Sequence, residues 1–451
     1  MKKIMFLLLI LVLLSGCTAR TPDVSPTAAS DEKSISLKTV PPKPRKLVVA
    51  YDTISRDYGK EEIIREFEVY NPDVNIQAIK YSAAQYSNVL EQIKVAFMSG
   101  NAFSIVGDVF CLYNYNLNHA DNGYLADIYE LMNNDPDFKK EEYYIGLFEA
   151  LEYKNKLYFF PTSFEYEFIV FNKTLSEQAL ESFTALDRIG YPEMLDFYNS
   201  YGSNQDLYID TSYEPSVQMV QNEIAKFVNY EDKTCNFKSE EFINILKLYK
   251  TIDSLKSSPE IAKRSNNNYF NPDLGLSKEY VFKRISYFGG QYLLPYKSNN
   301  FTHPIPLTNS DGEVMVTAEN YSIYAGSKNK DLAWRFLKFA TAKERSHFGY
   351  YVSPNKVLDR SHAYRMMQSY ELYASKETTE RIGDIKGGAT AKSDYQDKIF
   401  ENMPIAKLAV TYDQPLLTIV QNEVDLFFLG AQTAEQTAAK IQNKVSLYLI
   451  E

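Results

Sequence analysis

Glu165 and Glu167 are the residues of this chain best placed to do bond chemistry. They stand two apart, so in an extended segment both carboxylates would share one face, and a carboxylate pair can serve as acid and base on a glycoside. Nothing in the sequence marks either as tuned, and such pairs are common in polar loops, so the ordinary polar reading is preferred. His119 and Asp121 share a two-residue spacing but have no third partner, which fits a solvated loop better than a metal or catalytic pair. The other histidines, His303, His347 and His362, form no H-E-x-x-H, and there is no C-x-x-C, G-x-S-x-G, P-loop or G-x-G-x-x-G. These absences argue against a zinc site, a serine nucleophile and a nucleotide cofactor; no metal and no cofactor are expected. What the chain has in quantity is tyrosine, 36 of its 451 residues, against a single tryptophan, Trp334. Tyrosine offers an apolar face and a hydroxyl together, which suits binding surfaces, although so many rings must mostly serve core and surface. The chain is poor in catalytic equipment.

The elements that would position such a surface can be read along the chain. Met1-Lys2-Lys3, the apolar run Ile4 to Leu14, and Ser15-Gly16 form a secretory signal too short to span a bilayer. Leu14-Ser15-Gly16-Cys17 resembles a bacterial lipobox, which implies cleavage before Cys17 and lipid on its sulfur, a stable anchor once two or three chains are attached. Residues 1–16 are thus the signal peptide. Residues 17–45, rich in proline, serine and threonine, read as a disordered tether. The mature remainder is too long for one ordinary core, so two domains are expected. Its formal net charge of −10 has no large basic block, which argues against nucleic acid as a partner. Cys111 and Cys235 lie far apart and read as two unpaired, mostly buried thiols.

Leu47 to Tyr51 is an apolar run typical of a buried parallel strand. Glu61 to Tyr70 carries Ile63, Ile64, Phe67 and Tyr70 on one helical face and stops at Asn71-Pro72. Val74, Ile76 and Ala78 alternate as a strand; Tyr86, Leu90, Ile93 and Phe97 make a helical stripe ended by Ser99-Gly100; Ile105 to Phe110 reads as a third strand. Strand and helix in alternation signal an α/β domain with a parallel sheet. Leu157 to Phe160 and Phe168 to Phe171 read as two short strands separated by Pro161 to Glu167. Glu177 to Leu255 is mainly helical, with Phe242, Ile245, Leu246 and Tyr249 as one stripe. Ser310-Asp311-Gly312 is a turn. Asn329 is placed to cap a helix carrying Leu332, Phe336 and Phe339. Leu416 to Leu429 forms a helix closed by Gly430, and Thr433 with Gln436 fits a capping box for the last helix, striped by Ile441, Val445 and Leu449.

Taken together, these segments resemble the extracellular solute-binding proteins of ABC importers, family 1, the group that includes maltose-binding proteins. Glu66-Phe67-Glu68-Val69-Tyr70-Asn71-Pro72-Asp73-Val74 looks like that group's first helix entering its second strand. Gly107-Asp108-Val109 stands where Pro-Asp-Val is common. Asn122-Gly123-Tyr124-Leu125-Ala126-Asp127-Ile128 is similar to the next loop and helix start. Lys156-Leu157-Tyr158-Phe159-Phe160-Pro161 with Val170-Phe171-Asn172-Lys173 resembles the first crossing between lobes. Phe288-Gly289-Gly290 matches a Gly-rich turn. Ala325-Gly326-Ser327-Lys328-Asn329-Lys330 with Ala333-Trp334-Arg335-Phe336-Leu337-Lys338-Phe339 is the strongest match, followed by Val352-Ser353-Pro354-Asn355-Lys356.

The resemblance implies a two-lobed α/β fold of the periplasmic-binding-protein kind, each lobe a mainly parallel sheet flanked by helices, joined by a hinge crossed several times. By that analogy residues 46–163 and 299–345 form the N-terminal lobe, and 164–298 and 346–451 the C-terminal lobe. Ligand would sit in the cleft outside the carboxyl ends of the strands. That rule selects Asp52, Thr53, Asp108, Tyr113, Tyr115, Glu165, Tyr166, Gln291, Tyr292, Glu319, Asn320, Tyr321 and Tyr351. Maltose-binding relatives place tryptophan after the Gly-rich turn; Gln291 stands there here, so sugar stacking would fall to tyrosine or phenylalanine. The implied protein is a non-enzymatic, monomeric receptor on the extracellular face of the cell membrane. It would hold an oligosaccharide or other small polar solute and pass it to an ABC permease. The rival readings are a lipoprotein glycoside hydrolase using Glu165 or Glu167, and a sensor that presents its ligand to a signalling protein.

Overall fold

In the computed structural model the described residues are 43–53, 60–111, 117–172, 176–202, 208–210, 215–255, 280–286, 305–342, 353–356, 408–409 and 413–450. Those from Pro44 onward belong to one compact unit. Cys17 and the segment around it, together with Tyr113, Tyr115, Gln291, Tyr292 and Tyr351, lie outside the described residues.

The chain opens with strand β1 (Arg45–Asp52), helix α1 (Lys60–Tyr70), strand β2 (Val74–Tyr81), helix α2 (Ala83–Met98) and strand β3 (Val109–Cys111). β1 pairs in parallel with both β2 and β3. Its residues Leu47 to Tyr51 are almost fully buried, as the unbroken apolar run requires of a strand covered on both faces. The third strand is shorter than the sequence suggests. Phe103–Val106 is a single helical turn, and the strand starts only after Gly107 at φ 65°. There the chain passes so close to β1 that a Cβ on Gly107 would lie 2.6 Å from the Val48 carbonyl oxygen. The apolar pattern correctly marks Val106 as buried, but that turn settles which part is extended.

The middle of the chain is dominated by one long strand, β4 (Phe160–Phe171). The sequence suggests two short strands there, because Pro161 argues against a continuous one. The structure places Pro161 opposite Asn320, beside a bulge in which Thr162 is the extra residue on β4, a setting in which proline is tolerated within a sheet. Then come β5 (Tyr208–Asp210), α3 (Pro215–Glu223), α4 (Glu240–Ser254), β6 (Tyr280–Ser286), β7 (Ile305–Thr308), β8 (Met315–Ile323), α5 (Lys330–Ala342), α6 (Gln414–Phe428) and α7 (Ala434–Ile450). The main sheet runs β2-β1-β3-β8-β4-β6-β5, with β7 also on β4. β8 lies antiparallel to β3 and to the first half of β4; β6 and β7 pair antiparallel with the second half of β4.

Two hydrophobic cores flank this sheet. The first gathers β1, α1, β3, Phe160, Tyr321 and α5. Phe67 is wedged edge-on between Phe336 and Phe339, each 5.3 Å away. Trp334 packs edge-on to Phe160 and donates from Nε1 to Asp135, so it is a core residue as its helical stripe suggests. The second core gathers Ile169 and Phe171 of β4, the α4 stripe, and α6 with α7. β4 therefore starts in one core and ends in the other, a span of about 36 Å at the usual rise per residue. Ile305 and Leu307 of β7 pack in the second core, whereas the sequence reading has the chain return to the first from residue 299; the return runs along β8.

The ends of the helices follow local chemistry. Gly430 at φ 78° closes α6, and Thr433 with Gln436 forms the reciprocal cap of α7. Asn329 does not spend its side chain on capping α5. Its amide donates instead to the Lys46 carbonyl and to Asp108.

Candidate ligand-binding site

Strand direction decides where a site can form. β1 and β3 end, in the parallel sense, at Asp52 and Cys111. β8 runs the other way, with Ser322 opposite Phe110, so Tyr321, Asn320 and Glu319 climb past the carboxyl end of β3. β4 climbs beside them, with Phe160 opposite Tyr321 and Ser163 opposite Glu319. The β4 bulge at Thr162, opposite Glu319 and Asn320, thus lies where the two long strands leave the first core's sheet for the second core. Open α/β sheets bind ligands on that rim, and bulges are enriched beside sites because they re-aim side chains.

The polar groups at the rim converge on one carboxylate. Glu319 accepts an ion pair from Lys60 Nζ at 3.1 Å through Oε1. The Cys111 thiol lies 3.7 Å from the same oxygen, and the Ser163 hydroxyl donates to Oε2 at 3.4 Å. The Thr162 hydroxyl donates to the Glu319 backbone carbonyl. Lys60 Nζ also reaches the Asp52 carbonyl oxygen at 3.4 Å, tying the end of β1 into the cluster. The Lys60 side chain is 3% exposed, and that of Glu319 is 16% exposed. Burial by itself would lower the lysine pKa; Cys111, Glu319, Tyr321 and Asp52 together outweigh it and hold the ammonium above its ordinary range. Asn320 donates its amide to the Ala318 carbonyl, and its buried Oδ1 has no hydrogen-bond partner among the described residues.

Lys60 is the participant that the sequence reading passes over. It begins α1, where a cation opposes the helix dipole, and it occupies the same stripe as Ile63 and Phe67. A lysine in register with apolar residues is the signal that could have found it.

The other expected site residues divide. Asp52 is fully buried, and Thr53 closes the β1–β2 edge through its N–H and hydroxyl to the Tyr81 carbonyl. Glu165 and Tyr166 pair across from Thr317 and Val316, further along β4 than Ser163. Glu165 and Glu167 do alternate on one extended strand. Tyr321 is buried against Phe336. Asp108 stands apart: its N–H bonds the Val48 carbonyl, four residues and about 13 Å from Asp52 along β1. It is fully buried, taking Val48 N–H at 2.8 Å, the Ser327 hydroxyl at 2.7 Å and the Asn329 amide at 3.3 Å.

The His119 ring lies tilted against Phe97, centroids 5.0 Å apart, and Asp121 accepts from Tyr153 and pairs with Lys154. No cluster able to hold a metal occurs among the described residues, and none of the helices described is long and apolar enough to cross a membrane. Cys111, buried, and Cys235, partly so, are not joined in a disulfide.

Two cores bridged by long strands, with a polar rim where those strands leave the first sheet, define a two-lobed binding-protein fold. Residues 52–345, more than half of the chain, match the family model described as bacterial extracellular solute-binding protein, and the chain belongs to that family. Among solved structures it is similar to the sugar-binding protein MalE from Xanthomonas citri, at 15% identity and TM-score 0.57, with 90% of this chain and 97% of that one covered. It is also similar to an ABC substrate-binding protein from Listeria monocytogenes in complex with cycloalternan, at 15% identity, TM-score 0.52 and coverage of 90% and 99%. A third is an ABC transporter solute-binding protein from Thermotoga lettingae bound with α-D-tagatose, at 14% identity, TM-score 0.51 and coverage of 90% and 100%. Among curated proteins, none matches its sequence.

Proposed function

We propose that this chain is a carbohydrate receptor of an ABC importer, anchored to the extracellular face of the membrane through lipid on Cys17. It captures a neutral oligosaccharide between its lobes and releases it to a membrane permease, without breaking a bond. The observation that carries this reading is the fold match to proteins whose own ligands are sugars, combined with a polar rim at the carboxyl ends of β1 and β3. Asp52, Thr53, Glu319 and Asn320 border the ligand on the first lobe. Glu165 and Tyr166 on the crossing strand, with Tyr113, Tyr115, Gln291, Tyr292 and Tyr351, are the further residues assigned to the cleft. The mechanism is differential affinity. Contacts to both lobes favour the closed form, and moving such an equilibrium from 1:99 to 99:1 takes about 5.5 kcal/mol of differential binding.

A thermal-shift screen of maltotriose, mannotriose, tri-galacturonate, tripeptides and amino acids tests the reading. A ligand at 100 times its Kd adds about 2.7 kcal/mol of stability. A shift with an oligosaccharide, and recovery of that oligosaccharide intact, supports the receptor. A shift with peptides alone overturns the carbohydrate assignment, and cleaved product overturns the non-enzymatic one in favour of Glu165 and Glu167.

A further inference from the structure

The Lys60–Glu319 pair joins residues 259 positions apart in the sequence, and no local need explains the lysine. Its ammonium is buried, and it sits at the wrong end of a helix for a cation. The ion pair that offsets these costs comes from Glu319 on β8, opposite the β4 bulge at Thr162, with Asp52 close by. Ser163 and Cys111 sit against the Glu319 carboxylate as well, so its position is set by β1, β3, β4 and α1 together. Beside it, Asn320 Oδ1 is a buried acceptor with no hydrogen-bond partner among the described residues. The rim therefore offers acceptors. Lys60 is shared between Glu319 and the buried Asp52, so an anion meets carboxylates whose counter-charge is already committed and shielded from it. A group that donates hydrogen bonds without carrying charge fits best, and sugar hydroxyls are such groups.

We propose that Glu319 is the hydrogen-bond acceptor that selects neutral, hydroxyl-donating ligands over anionic ones, and that Lys60 is the positioning residue that holds it there. The proposal rests on the receptor reading above and deepens it.

The test is calorimetric titration of maltotriose, mannotriose and tri-galacturonate into the wild-type chain, Glu319→Gln, Lys60→Met and the double variant Lys60→Met/Glu319→Gln, with ligand-free thermal stability measured alongside. For the wild type, a neutral trisaccharide binds and tri-galacturonate does not. Glu319→Gln binds the neutral sugar at least tenfold more weakly. The double variant separates roles: it restores part of the ligand-free stability lost in Lys60→Met, because Glu319 no longer lacks a counter-charge although Asp52 still lacks Lys60, yet affinity stays down at least tenfold. A purely structural pair would recover both. Wild-type affinity in the double variant overturns the proposal and leaves the receptor reading intact. Tighter wild-type binding of tri-galacturonate than of the neutral sugars overturns it too, and needs no variant to fold. If no carbohydrate binds the wild type, the receptor reading fails and this inference fails with it.

Discussion

Asp108 and Glu319 are both carboxylates of the first lobe, and both stand at positions where ligand contact is expected, yet the fold uses them in opposite ways. Asp108 lies at the start of β3, level with the middle of β1, and faces donors that belong to the scaffold: a strand N–H, a hydroxyl and an amide from the loop leading into α5. It ties the sheet to the helix that covers it. Glu319 lies past the end of β3, on strands heading for the other core, and its partner is a buried lysine. The comparison teaches that strand direction assigns the role of a carboxylate. At the amino end of a parallel strand a carboxylate meets its own scaffold, and past the carboxyl end it stands where the cleft is proposed.

Breaking the Asp108 side of the comparison should give the largest effect. Asp108→Ala removes the acceptor of three hydrogen bonds, and at about 1.5–3 kcal/mol each for bonds to a charged group they predict a loss of roughly 4.5–9 kcal/mol in urea unfolding. Any folded fraction should keep wild-type affinity for its sugar. Lys60→Met should come next, costing about 3–5 kcal/mol because Glu319 loses its counter-charge in a largely buried place, and here affinity should fall as well. Gly107→Ala should cost about 2 kcal/mol or more, since the new Cβ meets the Val48 carbonyl and φ is positive. Arg45→Ala, which removes an exposed pair with Asp331, should cost below about 1 kcal/mol and mark the floor of the series.

The second core offers a pH test of the same distinction. Glu223 accepts from the Tyr249 hydroxyl and from the N–H and hydroxyl of Ser310, and so ties α3 and α4 to the turn that precedes β8. Burial dominates and raises its pKa despite those bonds and nearby Lys226. A carboxyl raised on folding binds more protons in the native state. Its contribution is fully present below the unfolded value, near 4.5, and is lost as pH rises through the folded value. Glu223→Gln should therefore flatten that loss, visible as a smaller drop in melting temperature between pH 4.5 and neutrality.

Much of this was legible in the residues themselves. The apolar run of β1, the stripes of α1, α4 and α7, and the glycine stops all report burial and backbone freedom, which short spacings encode directly. The breaks came where a distant segment decides. Pro161 reads as an interruption until Asn320 stands opposite it, beside the bulge at Thr162. Ile105 and Val106 read as strand until Gly107 passes against Val48. Asp108 reads as a cleft residue because its motif sits beside a strand, while its role depends on which end of the strand it occupies. Lys60 was overlooked because a lysine at a helix start is ordinary on a surface; only its stripe-mates, and a carboxylate far along the chain, make it unusual.

Small-angle X-ray scattering tests the central claim most directly, with the chain measured alone and then saturated with whichever neutral oligosaccharide raises its melting temperature. Closure of two lobes on the sugar predicts a smaller radius of gyration with ligand. A radius unchanged at saturation would contradict capture between lobes.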